Sequence, residues 1–306
     1  MAGGILNTPR SSLSPMKRDF LAAETFNGTF PWEPRFKAIN GFDMHYIDEG
    51  SGEPIVCLHG MPTWGYLYRE FITPLSAFNR VIVPDHMGFG KSDVPDDLPY
   101  TMAQHVENLT QLLLSLDLSD ITLVMHDWGG PIGFGFAVDH PDLVKRLVIL
   151  NTSVGVMKEG SKAWYDSIPN YDEFFGNMGT NVGQLLRLAI YHQERVTEDL
   201  IAAYAAPFPE PEYCAGPLAF PKDIPIGPGH QSTAAMQHVR DSLDVLADKP
   251  KIAIWGTQDI VFPPAAIDRW VRFYPDMAVH RIEDASHFLQ EDAPAEIVEQ
   301  IQAFCT

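Results

Sequence analysis

The 306-residue sequence predicts an α/β fold, with a mostly parallel central sheet flanked by helices and one inserted helical lid. Three observations lead there. Short apolar runs recur at Ile55-Val56-Cys57-Leu58, Val81-Ile82-Val83-Pro84, Ile121-Thr122-Leu123-Val124-Met125, Leu147-Val148-Ile149-Leu150-Asn151 and Lys251-Ile252-Ala253-Ile254-Trp255-Gly256, as buried strands require. Helical spacing separates them, as in residues 102–116. From about Thr152 to Asp248 the strand pattern stops. There, helical stretches such as 182–191 and 197–204 alternate with Pro- and Gly-rich turns, including 221–229. The expected division is a core of residues 1–151 and 249–306 and a lid of residues 152–248.

Taken in order, the elements begin with a hairpin. Arg35-Phe36-Lys37-Ala38-Ile39 and Met44-His45-Tyr46-Ile47 flank Asn40-Gly41, a pair suited to the left-handed conformations of a two-residue loop. The run at 55–58 then enters His59-Gly60-Met61-Pro62, where Gly60 allows backbone N–H groups to approach a developing oxyanion. The run at 81–84 ends at Asp85. The next strand leads into His126-Asp127-Trp128-Gly129-Gly130, and Gly129-Gly130-Pro131-Ile132-Gly133 opens a helix. Asp127 therefore stands on a strand-to-helix elbow, lifted clear of the sheet. Gly129 suits that crowded turn, although Met125 is larger than the usual residue on the strand side. An Asp before a helix also reads as a cap, so the other strand ends decide between the two roles. Asp259 follows the strand at 251–256, and His287 follows the run Ala278-Val279-His280-Arg281-Ile282. Nucleophile, acid and base thus appear in the chain order of an α/β-hydrolase, each beyond a strand end where such sheets collect their chemistry.

Composition sets the wider bounds. A chain with 45% hydrophobic and 20% charged residues is ordinary for a globular protein with one large core. A net charge of −19, from 21 basic and 40 acidic residues, argues against nucleic acid or an anionic membrane as partner. Cys57, Cys214 and Cys305 are odd in number and scattered, giving neither a disulfide framework nor a metal site. No apolar run approaches the roughly twenty residues of a spanning helix. The first residues lack the basic start and apolar stretch of a secretory signal, which leaves the cytoplasm as the expected location.

Beyond the elbow, the chain resembles the haloalkane dehalogenases over nearly all of its length. The resemblance rests on His59-Gly60-Met61-Pro62-Thr63-Trp64 with Tyr66-Leu67-Tyr68-Arg69, on Pro84-Asp85-His86-Met87-Gly88-Phe89-Gly90-Lys91-Ser92-Asp93, and on His126-Asp127-Trp128-Gly129-Gly130. Ala205-Ala206-Pro207-Phe208-Pro209 and His287-Phe288-Leu289-Gln290-Glu291 extend it. The resemblance implies that Asp127 displaces halide from carbon to form an alkyl ester. His287, oriented by Asp259, would then activate water to hydrolyse that ester. A carboxylate is already ionised at neutral pH, and its ester can be hydrolysed, whereas serine would leave an inert ether. The backbone N–H groups of Met61 and Trp128 would hold the tetrahedral oxyanion. The indole N–H of Trp128 would hold the halide. Dehalogenases normally add a second donor, an asparagine at the place of Met61 or a lid tryptophan; here Trp164 or His192 are the candidates. The implied partners are a small hydrophobic substrate, water and halide, with no cofactor or metal.

Other readings remain. An epoxide hydrolase would use the same triad, with lid tyrosines among Tyr165, Tyr171, Tyr191 and Tyr204 donating to the epoxide oxygen. A non-catalytic ligand-binding homologue would have no need of three correctly ordered groups. His126 reads as a packed neighbour of the elbow and Asp284 as a turn or cap residue. Asn151 ends a strand where some dehalogenases place their acid; an amide cannot balance an imidazolium, which favours Asp259.

Overall fold

The computed structural model describes residues 19–158 and 170–306. Eight strands form one sheet: β1 (Arg35–Ile39), β2 (Phe42–Gly50), β3 (Pro54–Leu58), β4 (Arg80–Pro84), β5 (Ile121–His126), β6 (Val144–Leu150), β7 (Lys251–Gly256) and β8 (Ala278–Ile282). Their order is β1-β2-β4-β3-β5-β6-β7-β8, and only the β1/β2 and β2/β4 pairs are antiparallel. The hairpin closes where Ile39 pairs with Phe42, with Asn40 at φ 47° and Gly41 at φ 90°. Both turn residues lie in the left-handed region that matches strand twist.

Burial follows position in the sheet. Every residue of β3, β5 and β7 is buried, while the edge strands β1 and β8 are exposed or half-buried up to a buried last residue. Covered on both faces, the central strands need continuous apolar sequence. Helices Met102–Ser115 and Gly129–Asp139 pack together, as do Arg69–Ser76 and Pro294–Cys305. Thr101 caps the first of these by accepting Gln104 N–H at 3.3 Å. Pro131 lies in the first turn of Gly129–Asp139, where a missing N–H breaks no intrahelical bond.

Between β6 and β7 the described residues carry helices Tyr171–Gly176, Met178–Ala189, Glu198–Ala205, Ala215–Lys222 and Thr233–Asp241. Two expectations shift. The helix anticipated over 182–191 begins at Met178 and stops at Ala189, because Ile190 turns extended at φ −103°, ψ 129°. The N–H groups of Tyr191 and His192 then go to Asp292 at 3.0 and 2.9 Å. The turn anticipated from Pro221 begins at Asp223, since Pro221 and Lys222 finish a helix. Asp223 fastens this region to the core by accepting Met102 N–H at 2.6 Å and the Ser232 hydroxyl at 2.6 and 2.7 Å. Among the described residues no helix is long and apolar enough to cross a membrane.

Candidate active site

Strand β5 delivers Asp127 to the elbow with φ 50°, a left-handed conformation costing a non-glycine residue about 1 kcal/mol. The turn is held from both sides: Asn151 O accepts Asp127 N–H at 3.3 Å, and Asp127 O accepts Gly130 N–H at 3.0 Å and the Thr152 hydroxyl at 2.6 Å. Two close approaches demand glycine. A Cβ on Gly129 would overlap the Leu58 carbonyl, and one on Gly60 would overlap the Asp127 side chain. The bulk of Met125 is accommodated because Gly133 leaves room, since a Cβ there would run into the Met125 thioether.

Around this elbow the structure brings together the residues singled out in the sequence. Asp127 Oδ1 accepts the Met61 N–H at 2.8 Å, and Oδ2 stands 3.6 Å from His287 Nε2. His287 Nδ1 lies 2.9 Å from Asp259 Oδ2. Asp259 Oδ1 accepts Val261 N–H at 2.6 Å and Phe262 N–H at 3.0 Å, and its Oδ2 also accepts Asn151 Nδ2–H at 2.7 Å. The Met61–Pro62 peptide is cis.

Electrostatics separate the two carboxyl groups. Burial opposes ionisation of Asp259, but the charge and hydrogen bond of His287, the Asn151 amide and a backbone N–H outweigh it and hold its pKa at about 2. Burial pushes Asp127 up, and this prevails over His287 and the N–H groups of Met61 and Trp128, which favour the anion. For His287, burial works against the cation, yet Asp259 and then Asp127 lift its pKa above the ordinary imidazole value. One carboxylate is thus locked as an anion beside the imidazole while the other is desolvated by burial, a pairing that suits a nucleophile and an orienting acid.

The halide candidates fare differently. Trp128 is buried against Phe220, with ring centroids 4.9 Å apart, and no acceptor for its indole N–H lies among the described residues. Trp164 and Tyr165 lie outside the described residues. His192 is not turned to the elbow: its ring nitrogens face Glu194 at 3.4 Å and Asp284 at 3.6 Å on the partly exposed rim. Carboxylates from two separate segments flank the ring there. The tyrosine hydroxyls are also engaged or remote. Tyr204 donates to Glu291 at 2.5 Å, Tyr171 donates to Leu218 O at 3.2 Å, and Tyr191 is exposed. His126 Nε2 donates to the His287 carbonyl at 2.8 Å, a packing bond that supports the loop.

Sequence reasoning missed the fastening of that loop. Glu291 receives both guanidinium arms of Arg69, at 2.6 and 2.7 Å, beside the Tyr204 hydroxyl. Asp292 accepts Ser286 N–H at 2.8 Å together with the two N–H groups after Ile190. Phe288 N–H donates to Ala189 O at 3.0 Å. His287 is therefore bracketed by contacts to residues 189–204, about 90 positions away in sequence, and only the acidic pair in its own motif hinted at this. Among the described residues no cluster of three or more His, Cys, Asp or Glu side chains is arranged to hold a metal.

Comparison with known proteins places the chain in a family. Residues 53–294 match the α/β hydrolase fold family. A cis-3-alkyl-4-alkyloxetan-2-one decarboxylase of Shewanella oneidensis is 36% identical over 90% of this chain and 89% of its own. A haloalkane dehalogenase of Mycolicibacterium paratuberculosis is 37% identical over 84% of this chain and 86% of its own. The solved structure of the haloalkane dehalogenase DpaA from Paraglaciecola agarilytica NO2 superposes with a TM-score of 0.79 at 30% identity, covering 96% of this chain and 98% of that one. The chain belongs to the α/β-hydrolase fold family and, within it, to the haloalkane dehalogenase family, whose relatives at this distance also include oxetanone decarboxylases.

Proposed function

We propose that this α/β-hydrolase is a haloalkane dehalogenase, converting small haloalkanes to primary alcohols and halide through an ester on Asp127. One observation carries the reading: a desolvated carboxylate has one oxygen on the Met61 N–H at 2.8 Å and the other 3.6 Å from His287 Nε2. In the first step Asp127 Oδ2 attacks the carbon in line, the carbon–halogen bond breaks, and halide departs with the electron pair beside the Trp128 indole N–H. In the second, His287 takes a proton from water, whose oxygen bonds to the ester carbon of Asp127. The oxyanion on Oδ1 is met by the N–H groups of Met61 and Trp128. Collapse returns the proton to the departing alcohol. Asp259, already anionic, balances the imidazolium. Residues 152–248 would serve as the lid, whose apolar helices exclude water and favour a small uncharged substrate. Thiols at 57, 214 and 305 are compatible with the reducing cytoplasm expected from the sequence.

Met61 favours a second reading. Its side chain offers no N–H, so position 61 adds no side-chain donor to the Trp128 indole for a free halide. The same carboxylate opening a strained oxetan-2-one would expel a carboxylate still tethered to the substrate, which needs no halide cradle; loss of carbon dioxide would then give an alkene. The epoxide alternative draws less support, because the hydroxyls of Tyr204 and Tyr171 are committed to Glu291 and Leu218.

Incubation with 1-bromobutane in heavy-oxygen water tests the proposal. Bromide, 1-butanol and label accumulating in Asp127 over many turnovers are the expected results, with His287→Phe trapping the butyl ester as a mass increase. No bromide release, together with alkene and carbon dioxide from a cis-dialkyl oxetan-2-one, would replace it by the second reading.

A further inference from the structure

Resting on that covalent route, we infer that Thr63 and His59 are positioning residues of the oxyanion hole, converging on the Gly60 carbonyl to aim and strengthen the Met61 N–H. The Thr63 hydroxyl donates to Gly60 O at 3.1 Å, and His59 Nδ1 lies 2.8 Å from the same oxygen. Both residues are fully buried. The direction of the second bond follows from its surroundings. His59 Nε2 accepts the His86 N–H at 3.0 Å, and burial lowers the His59 pKa, so the neutral ring carries its proton on Nδ1 and donates. His86 Nε2 in turn donates to His59 O at 3.0 Å, clamping the residue by backbone and ring together.

The trans Gly60–Met61 peptide is planar, with carbonyl and N–H pointing opposite ways. Fixing the carbonyl with two donors therefore fixes the N–H that reaches Asp127 Oδ1 at 2.8 Å. Donors on the oxygen also polarise the amide and strengthen its own N–H as a donor.

This arrangement has opposite effects on the two half-reactions. When Asp127 becomes an ester, negative charge leaves Oδ1, so a strong Met61 N–H holds back the displacement. When water adds to the ester, Oδ1 takes a full charge, so the same N–H accelerates hydrolysis. Weakening it slows the second step and leaves the first unchanged or faster. A general loosening of the site would slow both.

Thr63→Val removes one donor at nearly constant shape and Thr63→Ser restores it; Thr63→Ala serves should the valine variant fail to fold. In rapid-quench single turnovers with 1-bromobutane, bromide release reports the first step and loss of the butyl-enzyme mass reports the second. Thr63→Val is expected to slow butyl-enzyme decay about 3- to 10-fold, the range for one hydrogen bond, without slowing bromide release. Thr63→Ser should return both rates to wild type. Equal slowing of both steps, or no change in either, overturns the inference. If neither the wild type nor His287→Phe gives a butyl-enzyme, the covalent dehalogenase reading fails, and the Met61 amide proton shift decides the positioning alone. An upfield move in Thr63→Val that Thr63→Ser reverses supports it, and an unmoved resonance overturns it.

Discussion

Replacing Asp259 by asparagine separates the proposed chemical steps, because the environment of that carboxylate admits acceptors only. Its Oδ1 takes the N–H groups of Val261 and Phe262, and its Oδ2 takes Asn151 Nδ2–H and the His287 ring. An amide has one oxygen to share between those two places. With the oxygen at the Oδ1 position, the new NH₂ meets the Asn151 amide. Asn151 cannot flip in response, since its Oδ1 accepts Gly256 N–H at 2.9 Å and its Nδ2 donates to Gly256 O at 3.1 Å. With the oxygen at the Oδ2 position, the NH₂ faces two backbone donors. Either arrangement leaves one or two opposed donors at about 1–3 kcal/mol each, so a stability loss of about 2–5 kcal/mol is expected in urea unfolding.

The catalytic loss is larger and confined to one step. In the first arrangement the amide donates to His287 Nδ1, moving the ring proton to Nε2, the nitrogen that faces Asp127 and must accept a proton from water. In triads of serine hydrolases the equivalent change lowers turnover about 10⁴-fold. Asp259→Asn should therefore release one equivalent of bromide in a burst and then stall as the butyl ester, read by bromide electrode and by intact-protein mass. A folded variant that hydrolyses its ester within about tenfold of the wild-type rate, or that shows no burst, refutes this argument.

Four further outcomes are expected. Because Asp259 and Asp127 raise the His287 pKa against burial, its contribution to stability is complete below 6.5 and is lost as pH rises through the higher folded value. The same deprotonation frees the base, so turnover should rise through a midpoint above 6.5 as unfolding stability declines, and a midpoint below 6.5 would contradict the assignment. For Asp259, held at about 2 against an ordinary 3.8, about 2 kcal/mol of stability is present above pH 3.8 and lost on acidification toward 2, measurable as a steepened acid unfolding curve. Asp127→Asn should abolish turnover and raise stability by about 1 kcal/mol, since it removes a buried charge while asparagine tolerates the same positive φ; an unchanged or lower urea midpoint counts against a desolvation cost at Asp127. Trp128→Phe should weaken halide binding about tenfold in competition assays, and Met61→Asn should strengthen it by adding a side-chain N–H; halide affinity indifferent to both removes Trp128 from the halide role.

The strands and the elbow were legible because a strand buried on both faces must be apolar throughout, and because close backbone approach at Gly60 and Gly129 admits no other residue. The order of Asp127, Asp259 and His287 could be read for the same reason, since each follows a strand whose period is clear. Limits appeared where tertiary contact overrides local preference. The helix Met178–Ala189 starts at residues of poor helix propensity, and there Gly179 packs so closely on the Phe208 carbonyl that a Cβ would overlap it. The fate of His192 could not be read from its position relative to the lid prolines, because carboxylates at 194 and 284 compete for its ring. The Asp292 bridge joins segments about 100 residues apart, and its partners are backbone N–H groups that carry no sequence signature.

That bridge ties a segment between β6 and β7 to the proposed base. Residues 189–204 meet the histidine loop through Asp292, Glu291 and the Phe288 N–H, while Arg69 ties the same loop to the helix that follows the oxyanion segment. The Arg69–Glu291 ion pair joins the histidine loop to the helix after the oxyanion segment, and a shift of residues 189–204 alone would leave that pair intact but take the Tyr204 hydroxyl from Glu291, a charge-assisted hydrogen bond worth about 1.5–3 kcal/mol. In the proposed lid, substrate exchange that preserves those contacts uses the residues beyond them. Variation in substrate preference is then expected to concentrate there, while the bracketed segment tracks the geometry of His287. The two activities named among relatives at about 36% identity are compatible with such a division.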